Sequence, residues 1–223
     1  MACESMTRIS LHSFGEDINK PDFEISIVED MKEDYGLFVW PSSVILAEYV
    51  WQQRDRFSGA DIVELGAGTS LPGIVAAKLG SNVTLTDKGE NLEVLRNMKR
   101  MCDLNNVKCK VLGLTWGVWD EHTICLKPDI VLGADVLYDS DAFDDLFATV
   151  AFLLEGGSDS TFITTYQERS SHMRIRLLMA KWGLRCVKLV DGFSFMPASK
   201  AAGLAGNIQL AEIKLEGKNH FGH

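Results

Sequence analysis

Two glycines and two carboxylates carry the clearest chemistry in this chain. Ile62-Val63-Glu64-Leu65-Gly66-Ala67-Gly68 is a short apolar run that takes in an acid and ends in two glycines. Such a run describes a buried parallel strand, and its glycines let the backbone turn tightly beside a ligand with no Cβ in the way. A second apolar run, Val83-Thr84-Leu85-Thr86, closes on Asp87. Asp87 follows the turn by roughly 20 residues, where the next strand of a βαβ unit ends, and a carboxylate there can accept two ribose hydroxyls.

The same spacing bears on the kind of nucleotide. A dinucleotide fingerprint needs a third glycine where Leu71 stands. That glycine serves close helix packing beside a pyrophosphate, so its absence disfavours a ligand with two phosphates. S-adenosylmethionine fits better: it has a ribose, no phosphate, and a sulfonium and amino group suited to Glu64 and nearby backbone carbonyls. The bland alternative is a structural glycine turn in another α/β protein, since such short patterns recur by accident.

Three further segments are expected at the carboxyl ends of the strands, where ligands of open α/β sheets bind. In Gly113-Leu114-Thr115-Trp116-Gly117 the indole of Trp116 can flank an adenine or simply fill core. The run from Asp129 to Tyr138 is a buried strand with Asp135 at its outer end and Tyr138 just beyond. A carboxylate ending an apolar strand costs stability without a partner. Asp135 is therefore the first candidate to bind a cationic acceptor, orient it and assist proton loss. Val39-Trp40-Pro41 can cover the methionine part of the cofactor or form a helix-start hydrophobic staple. Asp139, Asp141, Asp144 and Asp145 make an acidic rim that attracts Lys or Arg, or complements a helix dipole, a reading that suits Asp139 and Asp141.

These residues need elements to position them. Strands are expected at 61–65, 82–86, 109–114, 129–136, 160–166, 185–190 and 207–215, with helices near 71–80, 89–105, 140–155 and 170–182. The alternation predicts an α/β fold with a mostly parallel sheet of seven strands and helices on both faces. The segment 191–206 leaves no room for a crossover helix, so the last strand is expected to pair antiparallel at the edge. Phe23 to Val28 alternates like a small extra strand, and Pro41 to Trp51 opens a leading helix. Residues 1–223 read as one domain, with an N-terminal extension over about 1–36 and a core over about 37–215.

Composition narrows the partners. A net charge of −9 argues against direct nucleic-acid binding and favours cationic partners. Five cysteines without a C-x-x-C pair suit reduced thiols in a cytosolic or nuclear protein. The histidines show no metal-ligand spacing, so no metal site is expected. The first 22 residues lack a signal-peptide core, no run approaches a membrane span, and Asn82-Val83-Thr84 is a chance sequon in a strand.

Together these segments resemble the seven-strand protein methyltransferases of the lysine methyltransferase family, the methyltransferase-like group, with the methyltransferase-like twenty-three branch nearest. The resemblance runs from about Leu37 to Val187. It is carried by Val39-Trp40-Pro41 with Leu46, Ala47 and Tyr49, by Gly66 to Ile74, by Gly113 to Gly117, and by Thr165-Tyr166-Gln167-Glu168-Arg169-Ser170. It implies a Rossmann-like class I fold and S-adenosylmethionine as cofactor, with S-adenosylhomocysteine as product. Its cofactor contacts fall on Trp40, Gly66, Ala67, Gly68, Asp87, Trp116 and Ala134, and its D-x-x-Y signature on Asp135 and Tyr138. The wider family implies lysine methylation of non-histone proteins such as chaperones. The nearest branch implies arginine methylation of histone H3, in the cytoplasm and nucleus, by a chain expected to be monomeric. A guanidinium is gripped best by paired carboxylates, and Glu168 can partner Asp135 or instead pair with Arg169 on the surface. A small-molecule methyltransferase, or a non-catalytic module that only binds the cofactor, stays open because fold does not assign function.

Overall fold

The computed structural model describes residues 7–17, 20–30, 37–157, 159–167 and 172–216. Its centre is a seven-stranded sheet built from β3 (Asp61–Glu64), β4 (Asn82–Asp87), β5 (Lys110–Gly113), β6 (Ile130–Ala134), β7 (Thr161–Gln167), β8 (Leu184–Asp191) and β9 (Ile208–Leu215). The order across the sheet is β5-β4-β3-β6-β7-β9-β8. Strands β3 to β7 pair parallel, and β9 runs antiparallel to both β7 and β8.

Strand alternation sorts the core into two layers. Ile62, Leu85, Leu132 and Ile163 point to one face, where α1 (Pro41–Gln52), α3 (Leu71–Lys78) and α4 (Leu92–Leu104) pack. Val63, Leu65, Val131 and Phe162 point to the other, under α6 (Phe143–Leu154) and α7 (His172–Lys181). Both faces are covered, so the central strands read as continuous apolar runs, as a doubly wound sheet requires. One-turn helices α2 (Arg54–Phe57), α5 (Glu121–Ile124) and α8 (Ala198–Ala201) complete the connections. The helices expected at 71–80 and 89–105 are slightly shorter than their periodicity suggested: Asn91 caps α4, its side chain accepting from the Val94 N–H at 3.3 Å.

Two placements differ from the sequence expectation. The reversed strand β9 is not outermost; it lies between β7 and β8. Burial explains this. In β9, Ile208, Leu210, Ala211 and Ile213 are buried, whereas most of β8 is exposed and carries Arg185 and Lys188, which suits a charged edge strand with a bulge between Cys186 and Lys188. The second difference is at the N-terminus. Phe23–Asp30 is the expected strand (β2), but it pairs antiparallel with a further strand, β1 (Thr7–Phe14). Ile25 and Ile27 of β2 are fully buried, and the Asn105 side chain accepts from Ser26 N–H at 2.8 Å and donates to its carbonyl at 2.9 Å. The extension is thereby fastened to the end of α4.

Inserting β9 puts a carboxylate inside. Glu212 is 7% exposed and accepts from Tyr49 Oη at 2.6 Å and from Arg56 at 2.8 Å, with Lys188 Nζ at 3.3 Å. Burial opposes the charge, yet these hydrogen bonds hold the carboxyl below its ordinary range. The cluster joins α1, α2, β8 and β9. Replacing Glu212 by Ala should lower unfolding stability by about 1–3 kcal/mol, moderated because Arg56 and Lys188 keep some water. Urea denaturation checks this; an unchanged midpoint would remove the cluster from the forces that seat β9.

Candidate functional site

The candidate site forms where β3 gives way to α3. Leu65 N–H still donates to Leu132 O at 2.8 Å, and then Gly66 and Gly68 take positive φ values of 57° and 50°. Ala67 N–H turns to Thr86 O at 2.9 Å. A Cβ on Gly66 would lie 3.1 Å from Val136 Cγ1 and 3.4 Å from Trp116 Cζ2. The indole therefore reaches over the turn, while Val136 and the positive φ are what a side chain at position 66 would crowd and strain.

Asp87, the last residue of β4, closes this turn. Its Oδ2 accepts from Gly68 N–H at 3.0 Å and its Oδ1 from Lys88 N–H at 2.8 Å. The next strand is keyed to the same place, since Leu114 N–H donates to Asp87 O at 2.8 Å. β5 can come this close because a Cβ on Gly113 would sit 2.7 Å from Gly89 Cα. Two backbone N–H groups aim the carboxylate, an acceptor of the kind that suits ribose hydroxyls. Gly66, Ala67, Gly68, Asp87 and Trp116 are thus brought together. Their bare turn and aimed acid fit S-adenosylmethionine.

Glu64 takes a different part from the one its spacing suggests. Alternation along β3 turns it with Ile62 toward α3, where it is 1% exposed, and its Oε2 accepts from Gly73 N–H at 2.9 Å. Among the described residues its Oε1 has no hydrogen-bond partner. Burial raises its pKa to about 8, against the lowering effect of the Gly73 hydrogen bond. Glu64 therefore seats the first turn of α3 and does not face a cofactor sulfonium.

The residues expected to meet an acceptor, Asp135 and Tyr138, follow the end of β6. Ala134 is the last strand residue, in register with Thr165 of β7. Asp135 then takes φ 55°, an αL conformation that Asp tolerates better than most residues, and its N–H donates to Thr165 O at 2.7 Å. Val136 and Leu137 plunge into the core at 3% exposure each, which leaves Asp135 half-buried and Tyr138 exposed at 58%. The Tyr138 phenol is pushed up by partial burial and by the charges of Asp139, Asp87 and Asp135. It stays a neutral hydrogen-bond donor. Trp40 stands at the N-cap of α1, edge-on to Phe38 with ring centroids 5.4 Å apart. Glu168 lies outside the described residues.

The acidic rim is partly engaged. Asp144 accepts from Lys181 Nζ at 2.7 Å and from Trp182 Nε1 at 2.8 Å, and with Asp145 it occupies the first turn of α6. The helix-dipole role expected for Asp139 and Asp141 thus falls to Asp144 and Asp145, one turn further on. Sequence reasoning missed several supports. Buried Glu29 accepts from Val39 N–H at 3.1 Å, and Thr165 Oγ1 donates to Ser42 O at 2.8 Å. Both fix the Trp40 arm through contacts distant in sequence, so no local pattern signals them. Ser70, at φ 63° just before α3, follows a glycine turn that hints at such strain.

Glu64 yields a pH signature. Its folded pKa lies above its unfolded value of 4.5, so the stability of its protonated form is complete below pH 4.5 and is lost as pH rises toward about 8. Glu64→Gln should therefore gain on the wild type across that window by up to about 1.4 kcal/mol per pH unit, measured by urea unfolding of the ligand-free protein. A pH-independent difference would place the proton elsewhere.

Comparison with known proteins follows from this geometry. Residues 19–178 match the family model described as lysine methyltransferase. The histone-arginine methyltransferase METTL23 of Xenopus laevis is 42% identical over 177 residues, covering 78% of this chain and 75% of its own length. The human METTL23 is 39% identical, covering 69% of this chain and 82% of its own. The mouse protein N-lysine methyltransferase METTL21A is 35% identical, covering 65% and 73%. A solved S-adenosylmethionine-dependent methyltransferase from Clostridium acetobutylicum superimposes with TM-score 0.59 at 13% identity, over 83% of this chain and 94% of its own, which speaks for the fold. With a bare glycine turn, an acid aimed by backbone N–H groups and this similarity spanning both, the chain belongs to the lysine methyltransferase family, and it is a protein methyltransferase that uses S-adenosylmethionine.

Proposed function

We propose that this enzyme methylates a side-chain nitrogen of a protein substrate, an arginine of histone H3 type. Lysine is the second reading, favoured by the family model and by the relatives named for lysine. The observation that carries the proposal is Asp135: a half-buried acid just past the end of β6, held in αL geometry by Thr165 O, with the exposed Tyr138 three residues on. Such a group binds a cationic acceptor and orients it.

The cofactor supplies the electrophilic methyl on its sulfonium. Trp40, Gly66, Ala67, Gly68, Asp87, Trp116 and Ala134 are the residues to hold it. The chain's remaining work is to fix the acceptor nitrogen in line and exclude water, because no covalent intermediate is needed. Asp135 neutralises the acceptor's positive charge and assists loss of its proton as the new N–C bond forms. Tyr138 donates a hydrogen bond at the rim, and Glu168 is the second acid a guanidinium would call for. Asp139 and Asp141 stay exposed and steer cationic segments toward the site. A histone or a chaperone offers such segments. Activity as a monomer in the cytoplasm and nucleus completes the reading.

Two substitutions separate binding from turnover. Asp87→Asn should weaken S-adenosylmethionine binding by about 10- to 100-fold, the worth of charged hydrogen bonds to a ribose, in a calorimetric titration. Asp135→Asn should leave that affinity within a few-fold and cut the turnover rate by about 100-fold or more. Retained turnover in Asp135→Asn would remove the catalytic role. The acceptor is identified by labelled methyl transfer to histones and to a lysate, with mass spectrometry of the product. Methylarginine on a histone supports the proposal and methyllysine moves it to the second reading. Label confined to small molecules, or binding without any label, overturns protein methylation.

A further inference from the structure

A groove of about 440 Å³ lies at the end of the sheet away from the site described above. It opens where β3 and β4 begin, at Asp61 and Asn82, whereas the candidate site sits where those strands end. The length of β4, about 16 Å at a strand's rise per residue, separates the two. Three exposed lysines line the groove. Lys108 and Lys110 come from the chain entering β5, the outermost strand, where Lys110 is in register with Thr84 of β4. Lys127 comes from the segment between α5 and β6, whose backbone is fixed: Leu126 N–H donates to Thr123 O at 3.1 Å, and Pro128 O accepts from Ser160 Oγ at 2.7 Å. Among the described residues none of these three lysines forms an ion pair, whereas Arg56, Lys181, Lys188 and Lys200 each have a carboxylate partner. Asp61 is the single acid among the groove's described lining residues. Acids outnumber Lys and Arg by 31 to 22 in this chain, so three unpaired cations facing one cleft form a local field opposite in sign to the whole.

We propose that this groove docks a carboxylate-rich segment of a partner protein, one in which Asp and Glu alternate with apolar residues. Charge complementarity selects the acids, and the walls select a polypeptide. Val83, Leu126 and Pro128 put apolar surface between the lysines, which suits the intervening side chains of a peptide. No aromatic ring is among the described lining residues to stack a nucleic-acid base, and the net charge of −9 opposes a long phosphate backbone running beyond the groove. The described lining also holds no Arg, whose planar fork is the geometry matched to phosphate; lysine ammoniums are point charges that meet single carboxylates. The docked segment and the cofactor turn occupy opposite ends of the strands, so the protein holds both at once. The acidic partner therefore binds whichever side chain accepts the methyl group.

The probe is a fluorescein-labelled peptide of Asp and Glu interspersed with Leu and Ser, titrated with the full-length protein and read by anisotropy. Saturable binding is expected at about 50 mM salt, weakening several-fold by about 200 mM as screening grows. The combined Lys108→Ser, Lys110→Ser and Lys127→Ser variant should weaken it by about tenfold or more, the joint worth of three exposed ion pairs. The same variant should keep the wild-type S-adenosylmethionine affinity and unfolding midpoint, since its three side chains are exposed and lie away from the cofactor turn. A control that removes Lys20, Lys99 and Arg185, exposed cations outside the groove, should leave peptide binding within about twofold. No saturable binding at low salt would overturn the proposal, and so would an equal loss in both triple variants, which would mean diffuse charge attraction. Tighter, groove-dependent binding of a single-stranded RNA of equal charge would assign the groove to nucleic acid instead. Self-association of the wild type that the groove variant abolishes would assign it to a second copy of this chain.

Discussion

The carboxylate of Asp87 holds two pieces of backbone at once, the glycine turn after β3 through Gly68 N–H and its own following residue through Lys88 N–H. Everything else in the site is placed relative to that clamp. The neighbouring carbonyl receives Leu114 N–H, which registers β5 and delivers Trp116 over Gly66. An acid held by backbone donors does not wander, so the carboxylate is a prearranged acceptor whose ordering cost is met in folding. The strand order supplies the crevice: β3 is flanked by β4 and β6, the point where the winding of the sheet reverses, and ligands of open sheets bind there.

The acceptor side follows a different logic. Asp135 is displaced from regular strand geometry because Val136 and Leu137 are drawn into the core beneath α6, and the αL turn at φ 55° is the bend that lets them do so. A half-buried acid and an exposed tyrosine are thereby left above a rigid floor. Thr165 ties this bend to the rest of the site, since its carbonyl holds Asp135 N–H and its hydroxyl holds the first turn of α1, next to Trp40. The arm that would cover the cofactor and the acid that would meet the acceptor share one buried support.

Much of this was legible from residue types. The α/β alternation, the seven strands and the single reversed strand follow from apolar periodicity and from the Gly, Ser, Ala and Pro of 191–206, and the structure bears them out. The glycine turn and Asp87 were legible because their chemistry is local and their separation is set by one βαβ unit. The position of β9 was not. Periodicity says that a strand is apolar but not which neighbour it buries against, and β9 moves inside because its residues are the more apolar of the last pair. β1 was missed for a related reason: Ile9 and Leu11 face solvent, so its alternation carries no burial signal.

Sequence by itself determined the period of each element, the turns that demand glycine, and the acids that end β4 and β6. These are properties of neighbouring residues, and short-range sterics settle them. Tertiary structure alone decided what each acid does. Asp87, Glu64 and Glu212 carry the same functional group. One is aimed by two backbone N–H donors, one is buried under α3 with its charge suppressed, and one is kept ionised by Tyr49, Arg56 and Lys188. The difference lies in desolvation and in partners brought from distant parts of the chain, which only the folded arrangement supplies.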